Sequence, residues 1–95
     1  MIVGGNRFEF KNEGETFREV AYASVTAADI TKFVVRIDET LIDIVYAGAG
    51  GSHSWWEASG GKLMPFDKFP NGIPPGSTLT IEADKNDAAI RVDIR

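Results

Sequence analysis

Polar and apolar residues alternate one for one along much of this chain. Arg7-Phe8-Glu9-Phe10-Lys11 does so at the start. Between residues 30 and 37, Phe33, Val35 and Ile37 share one parity and Lys32, Val34 and Arg36 the other. After Asp38-Glu39-Thr40, residues 41–46 return with Ile42, Ile44 and Tyr46 on one face, leaving Leu41 and Val45 on the opposite one, the side of Val34. Leu79 and Ile81 alternate with Thr78, Thr80 and Glu82; beyond Asp84-Lys85-Asn86-Asp87, Ile90, Val92 and Ile94 alternate with Arg91, Asp93 and Arg95. Period two is the pattern of a strand with one buried and one wet face. The last two runs predict a closing β-hairpin. The buried parity predicts a core of Phe33, Val35, Ile37, Ile42, Ile44, Leu79, Ile81, Ile90, Val92 and Ile94.

Other stretches are less regular. Asn12-Glu13-Gly14 reads as a turn, and residues 15–23 as a strand returning from it. Phe17 has odd parity whereas Val20 and Tyr22 have even parity, so a bulge near Arg18 or Glu19 is expected. Thr26-Ala27-Ala28-Asp29 fits a capping box and predicts a short turn or 3₁₀ segment, against the β-branched residues around it. From Ala47 the chain becomes small and glycine-rich, with Gly48, Gly50, Gly51, Gly60 and Gly61 around Trp55 and Trp56. All 4 prolines then follow, at 65, 70, 74 and 75. This long aromatic connection is expected to cross from one sheet to another, with Phe66 and Phe69 plugging one end of the core. The pattern predicts an all-β fold: a small antiparallel β-sandwich or compact barrel of six to eight strands, as a single domain over residues 1–95.

Composition narrows the chemistry. The 95 residues are 43% hydrophobic, which suits a packed domain rather than disorder. The net charge is −4 and no basic run occurs, which argues against a nucleic-acid partner. No apolar stretch approaches the ~20 residues of a membrane helix, and the start, Met1-Ile2-Val3-Gly4-Gly5, has no signal-peptide pattern. There are 0 cysteines, which removes disulfides, thiolate metal sites and cysteine nucleophiles together.

Candidate chemistry is sparse. His53 is the single histidine, flanked by Ser52 and Ser54, and sequence neighbours do not make a nucleophile–base pair of the usual geometry. It reads as a surface loop residue, and no metal or cofactor is expected. Glu57 is the best of many carboxylates for a glycosidase-type pair, a pattern without specificity. Asp84-x-Asn86-Asp87 lacks the glycine and distal glutamate of a calcium loop. Gly48-x-Gly50-Gly51 lacks the Lys-Ser/Thr ending of a phosphate loop. Trp55-Trp56 offers three readings: two packing residues, one core and one contact residue, or a paired platform for a sugar ring. An apolar N-terminal arm needs something to hold it, a neighbouring chain or a short strand of its own. Trp55, Trp56, Tyr46, His53, Ile2 and Val3 are therefore the candidate partner- or ligand-binding residues.

Pro74-Pro75-Gly76-Ser77-Thr78-Leu79-Thr80-Ile81, with the turn and terminal strand after it, resembles the closing hairpin of β-sandwich proteins in bacteriophage virions, the distal-tail and head-decoration families among them. The resemblance covers about 20 residues. It implies a non-catalytic structural or assembly protein located in the virion, binding subunits of a larger assembly: copies of itself, or a capsid or tail protein. The alternative expectation is an extracellular carbohydrate-binding module that holds polysaccharide with Trp55 or Trp56 and Tyr46.

Overall fold

The computed structural model describes residues 2–4, 6–49, 51–56, 69, 71–85 and 87–95, with the backbone alone at 2–4 and 53–56. Eight strands form: β1 (Ile2–Gly4), β2 (Arg7–Lys11), β3 (Val20–Ala27), β4 (Thr31–Ile37), β5 (Thr40–Ala47), β6 (Ser52–Trp56), β7 (Thr78–Ala83) and β8 (Ala88–Ile94). They pair antiparallel throughout, in one sheet of order β1-β8-β3-β6 and another of order β2-β7-β4-β5. The expected all-β sandwich is therefore present. Its strand order is that of a jelly roll, eight strands wound as two Greek keys.

Alternation explains how the layers close. Phe8, Phe33, Val35, Ile37, Leu79 and Ile81 of one sheet and Ala23, Val25, Ile90 and Val92 of the other are all buried in one core. Within the sheets they stand opposite one another: Phe8 faces Ile81, Val35 faces Ile81 from the other side, and Val25 faces Ile90. Ile73, outside any strand, is also buried.

Several expectations are corrected. The last two strands do not form a hairpin: β7 lies between β2 and β4, while β8 lies between β1 and β3 in the other sheet. The chain thus crosses between layers from β7 to β8. β3 likewise pairs with β8 and β6 rather than returning along β2. Its irregularity lies between Val20 and Tyr22, a little beyond the expected bulge. The capping-box residues start no helical turn, since β3 runs on to Ala27. The crossing expected after residue 56 does occur, from β6 in one sheet to β7 in the other. Phe69 packs partly buried against the core, and Phe66 lies outside the described residues.

The most consequential correction is in β5. Val35 pairs with Asp43 but Arg36 pairs with Leu41, so Ile42 is an extra residue, a β-bulge. The bulge inverts the parity beyond it. Val45 and Ala47 become buried, and Ile44, assigned to the core by its alternation, is 42% exposed. Ile42 and Ile94 pack at the margin of the core rather than inside it.

The turn from β4 to β5 is two residues long, with Asp38 at φ 53°. Its carboxylate accepts from the Thr78 amide, and its own amide donates to the Thr78 carbonyl, which ties this turn to the start of β7. From β5 to β6 the chain reverses through Gly48–Gly51, whose amides and carbonyls exchange two 3.0 Å hydrogen bonds. Gly48 sits at φ +123°, and a Cβ there would lie 2.0 Å from the Asp29 carbonyl oxygen, so only glycine fits this reversal.

Candidate functional site

Strands β5 and β6 are the free edges of their respective sheets and lie on the same side of the sandwich. The tight Gly48–Gly51 reversal carries the chain from one edge to the other. This brings Tyr46 of β5 and the segment His53–Trp56 of β6 to one flank of the molecule. In the register His53 stands opposite Val25, Trp55 opposite Ala23 and Trp56 opposite Tyr22. The two tryptophans thus occupy adjacent positions of a strand, whereas a paired platform needs a loop. Ile2 and Val3 go elsewhere. They belong to β1, the other edge of the same sheet, where they pair with Arg91 and Ile90 of β8. The N-terminal arm is held by a strand of its own chain.

Tyr46 is the most exposed large apolar side chain of the described surface, at 64%. It is not alone. Ile44 and Leu41 are exposed on the same strand, and Ile30 is exposed just before β4. Each β5 residue has a cross-strand neighbour on β4: Tyr46 opposite Lys32, Ile44 opposite Val34 and Leu41 opposite Arg36. The sequence pattern concealed this strip, because it placed Ile44 inside; only the bulge at Ile42 turns Ile44 outward. Tyr46 was identifiable from sequence as a candidate. Leu41, Ile44 and Ile30 as its companions were not.

Beside the strip the outer face of the same sheet carries charge. Arg7 donates to Glu9 and to Glu82, each at 2.9 Å. These two carboxylates, Glu9 first, raise the pKa of the guanidinium, which stays cationic. A shallow depression lined by Lys32, Val34, Glu82 and Asp84 lies between β4 and β7. A second depression opens at the end of the sandwich among Phe10, Arg18, Val92 and Ile94, where the Arg18 guanidinium lies 5.5 Å from the centre of the Phe10 ring.

The buried polar side chains among the described residues are Asn12 and Thr31, neither of which titrates. No group of three or more histidines and carboxylates able to hold a metal occurs among the described residues. Nor do these residues contain a helix long and apolar enough to cross a membrane. Asp84, the first carboxylate of the Asp84-x-Asn86-Asp87 run, accepts from the Lys32 backbone amide at 3.2 Å. Glu57 lies outside the described residues.

The class these observations define is a small jelly-roll domain with an apolar, partly cationic flank. Compared with protein-family models, with curated proteins and with solved structures, the chain matches none.

Proposed function

We propose that this chain is a non-catalytic structural protein of a larger assembly, of the kind that decorates a bacteriophage head or serves as a tail accessory, and that it binds partner subunits through the β5–β6 flank. One observation carries the reading: Ile30, Leu41, Ile44 and Tyr46 stand exposed together along the β4–β5 edge of a domain with an otherwise well-filled core. Clustered exposed apolar residues rimmed by charge are the usual mark of an interface. The fold agrees by analogy only. Jelly rolls serve as viral capsid domains, but also as lectins and cupins.

The direct test is proteomic analysis of purified virions from the source of this chain. The protein should be present in many copies per particle; its absence from particles would refute the virion reading. At the level of residues, Tyr46→Ala is expected to weaken association with the native partner by about 2 kcal/mol or more, some 30-fold, as truncation of an interface anchor does. Its melting temperature should barely change, because surface substitutions usually stay within ~0.5 kcal/mol. Trp55→Ala and Trp56→Ala belong in the same assay, and at least one of them is expected to weaken binding. Unaltered affinity in all three variants would remove the interface from this flank.

The carbohydrate-binding reading has one observation in its favour, the exposed Tyr46 ring beside Lys32. Titration of tryptophan fluorescence with neutral and acidic polysaccharides tests it. Saturable quenching that Tyr46→Ala abolishes would favour that function over assembly.

A further inference from the structure

We propose that the outer face of the β2-β7-β4-β5 sheet is built to receive an acidic protein surface with an apolar centre, laid flat on the sheet and not added as a strand to its edge. The proposal rests on the assembly reading above and gives the chemistry of the partner.

Charge is the first argument. Alternation turns four cations of this sheet outward, Arg7, Lys11, Lys32 and Arg36, against two carboxylates, Glu9 and Glu82. Leaving aside Asp43 at the β5 edge and Asp84 beyond the end of β7, the outward residues of these strands hold a surplus of +2 on a chain of net charge −4. Both carboxylates are already engaged by Arg7. Lys32 and Arg36 make no ion pair among the described residues. These two cations are also the ones nearest the apolar strip. Across β4 and β5 the pairs run Lys32 with Tyr46, Val34 with Ile44 and Arg36 with Leu41. An aliphatic centre thus has a cation on either side of it, and a partner covering that centre would bring its own groups up to both. Carboxylates are the groups that complement them.

Area is the second argument. Exposed apolar patches on single domains reach only a few hundred Å², whereas a standard interface buries ~800 Å² on each partner. The strip alone is too small, so a stable footprint must extend over the cationic residues of β4. A second copy related by a two-fold axis would set one positive surplus against another, which disfavours that occupant.

The edge itself is guarded. The Asp43 carboxylate accepts from the Ile44 amide at 2.9 Å, which occupies a backbone donor of β5 and stations a negative charge on the edge strand. The bulge at Ile42 further breaks its regularity. Charges and bulges are the devices by which edge strands avoid pairing with other chains. The face remains as the docking surface.

The experiment is an NMR titration of the full chain with a short synthetic peptide alternating leucine and glutamate, beside the matched leucine–lysine peptide. The glutamate peptide should shift the resonances of Lys32, Val34, Arg36, Ile44 and Tyr46 and bind about tenfold tighter than its lysine counterpart, with the preference shrinking as salt is added. The double variant K32E/R36E should melt like wild type and reverse the preference. Equal affinity for the two peptides overturns the proposal, as do shifts confined to β1 or β6. Self-association in sedimentation that R36E abolishes would make a second copy the occupant and refute it. Tighter binding of both peptides, the lysine one included, in Asp43→Asn would mean strand addition and refute the docking mode. A positive titration with a chain missing from virions removes the assembly reading and leaves the acidic-partner surface; the reverse pair of results does the opposite.

Discussion

Truncating Phe33 to alanine is expected to cost about 3–5 kcal/mol, the usual range for a buried phenylalanine, and to lower the melting temperature by on the order of 20 °C for a domain of this size. Phe33 has 0% of its surface exposed and stands on β4, a central strand of its sheet. It is paired with Val45 on one side and Ala83 on the other, both buried. With neighbours held on both sides by ladder hydrogen bonds, little can move in to fill the space left behind. Ile44→Ala is the control. It lies one residue from Val45 on the same edge strand but faces outward, so its change in unfolding free energy should be below ~1 kcal/mol. Chemical denaturation of both variants decides the matter. A Phe33→Ala protein that unfolds at the wild-type midpoint, or an Ile44→Ala protein that collapses with it, would mean that the β4–β5 register is misassigned.

That contrast also shows what the sequence could and could not disclose. Strands β2, β4, β7 and β8 are visible in the alternation of Phe8 and Phe10, of Phe33, Val35 and Ile37, of Leu79 and Ile81, and of Ile90 and Val92. Period two is a local property, and each of these segments keeps its period from end to end. β5 does not. A single inserted residue, Ile42, flips every position after it, and apolar residues on both parities gave no sign of where the flip falls. The face of Ile44 therefore had to come from the pairing with β4.

Strand partnership is a second kind of information that alternation lacks. The run at 78–83 and the run at 88–94 are separated by a short polar connection, which suits a hairpin as well as it suits a crossing between layers. The crossing wins because each strand already has two better-matched neighbours, β2 and β4 for β7, β1 and β3 for β8. The candidate site inherits this limit. Tyr46 was identifiable as an aromatic at the end of a strand. The cationic surplus of the face it borders was not, since Arg7 and Lys11 join Lys32 and Arg36 on one face only once β2, β7 and β4 are known to be neighbours.

Asn12 is the residue whose sequence reading was most understated. The sequence reads it as a turn residue, and it is fully buried as well, where it joins the end of β2 to the segment before β7. Its side-chain amide donates to the carbonyls of Thr16 and Ile73 at 2.8 and 2.9 Å, and its side-chain oxygen accepts from the Gly14 amide at 3.1 Å. Its backbone amide donates to Ser77, and its carbonyl accepts from Gly76. Asn12→Leu keeps the approximate volume and removes three side-chain bonds, leaving the Ile73 carbonyl without this donor in the interior. The Ile73 carbonyl keeps the Arg18 amide as a donor, so the cost is that of the lost bonds, about 0.5–1.5 kcal/mol each, and a loss of about 2–4 kcal/mol is expected. Asn12→Asp separates hydrogen bonding from packing. It keeps the shape and the acceptor for Gly14, but it turns a carboxylate toward two carbonyl oxygens. Burial and those dipoles disfavour the charged form, so the folded-state pKa of the new carboxyl should rise above its unfolded value of about 3.9. A raised pKa means that the aspartate variant is penalised most at neutral pH. It should recover relative to wild type as the pH falls through that folded-state pKa, where a protonated carboxyl can again donate one bond. Urea denaturation of wild type, Asn12→Leu and Asn12→Asp at pH near 7 and near 4 gives the answer. Should the aspartate penalty stay constant between the two, the two donated bonds are not what holds this corner, and the backbone bonds to Ser77 and Gly76 carry it alone.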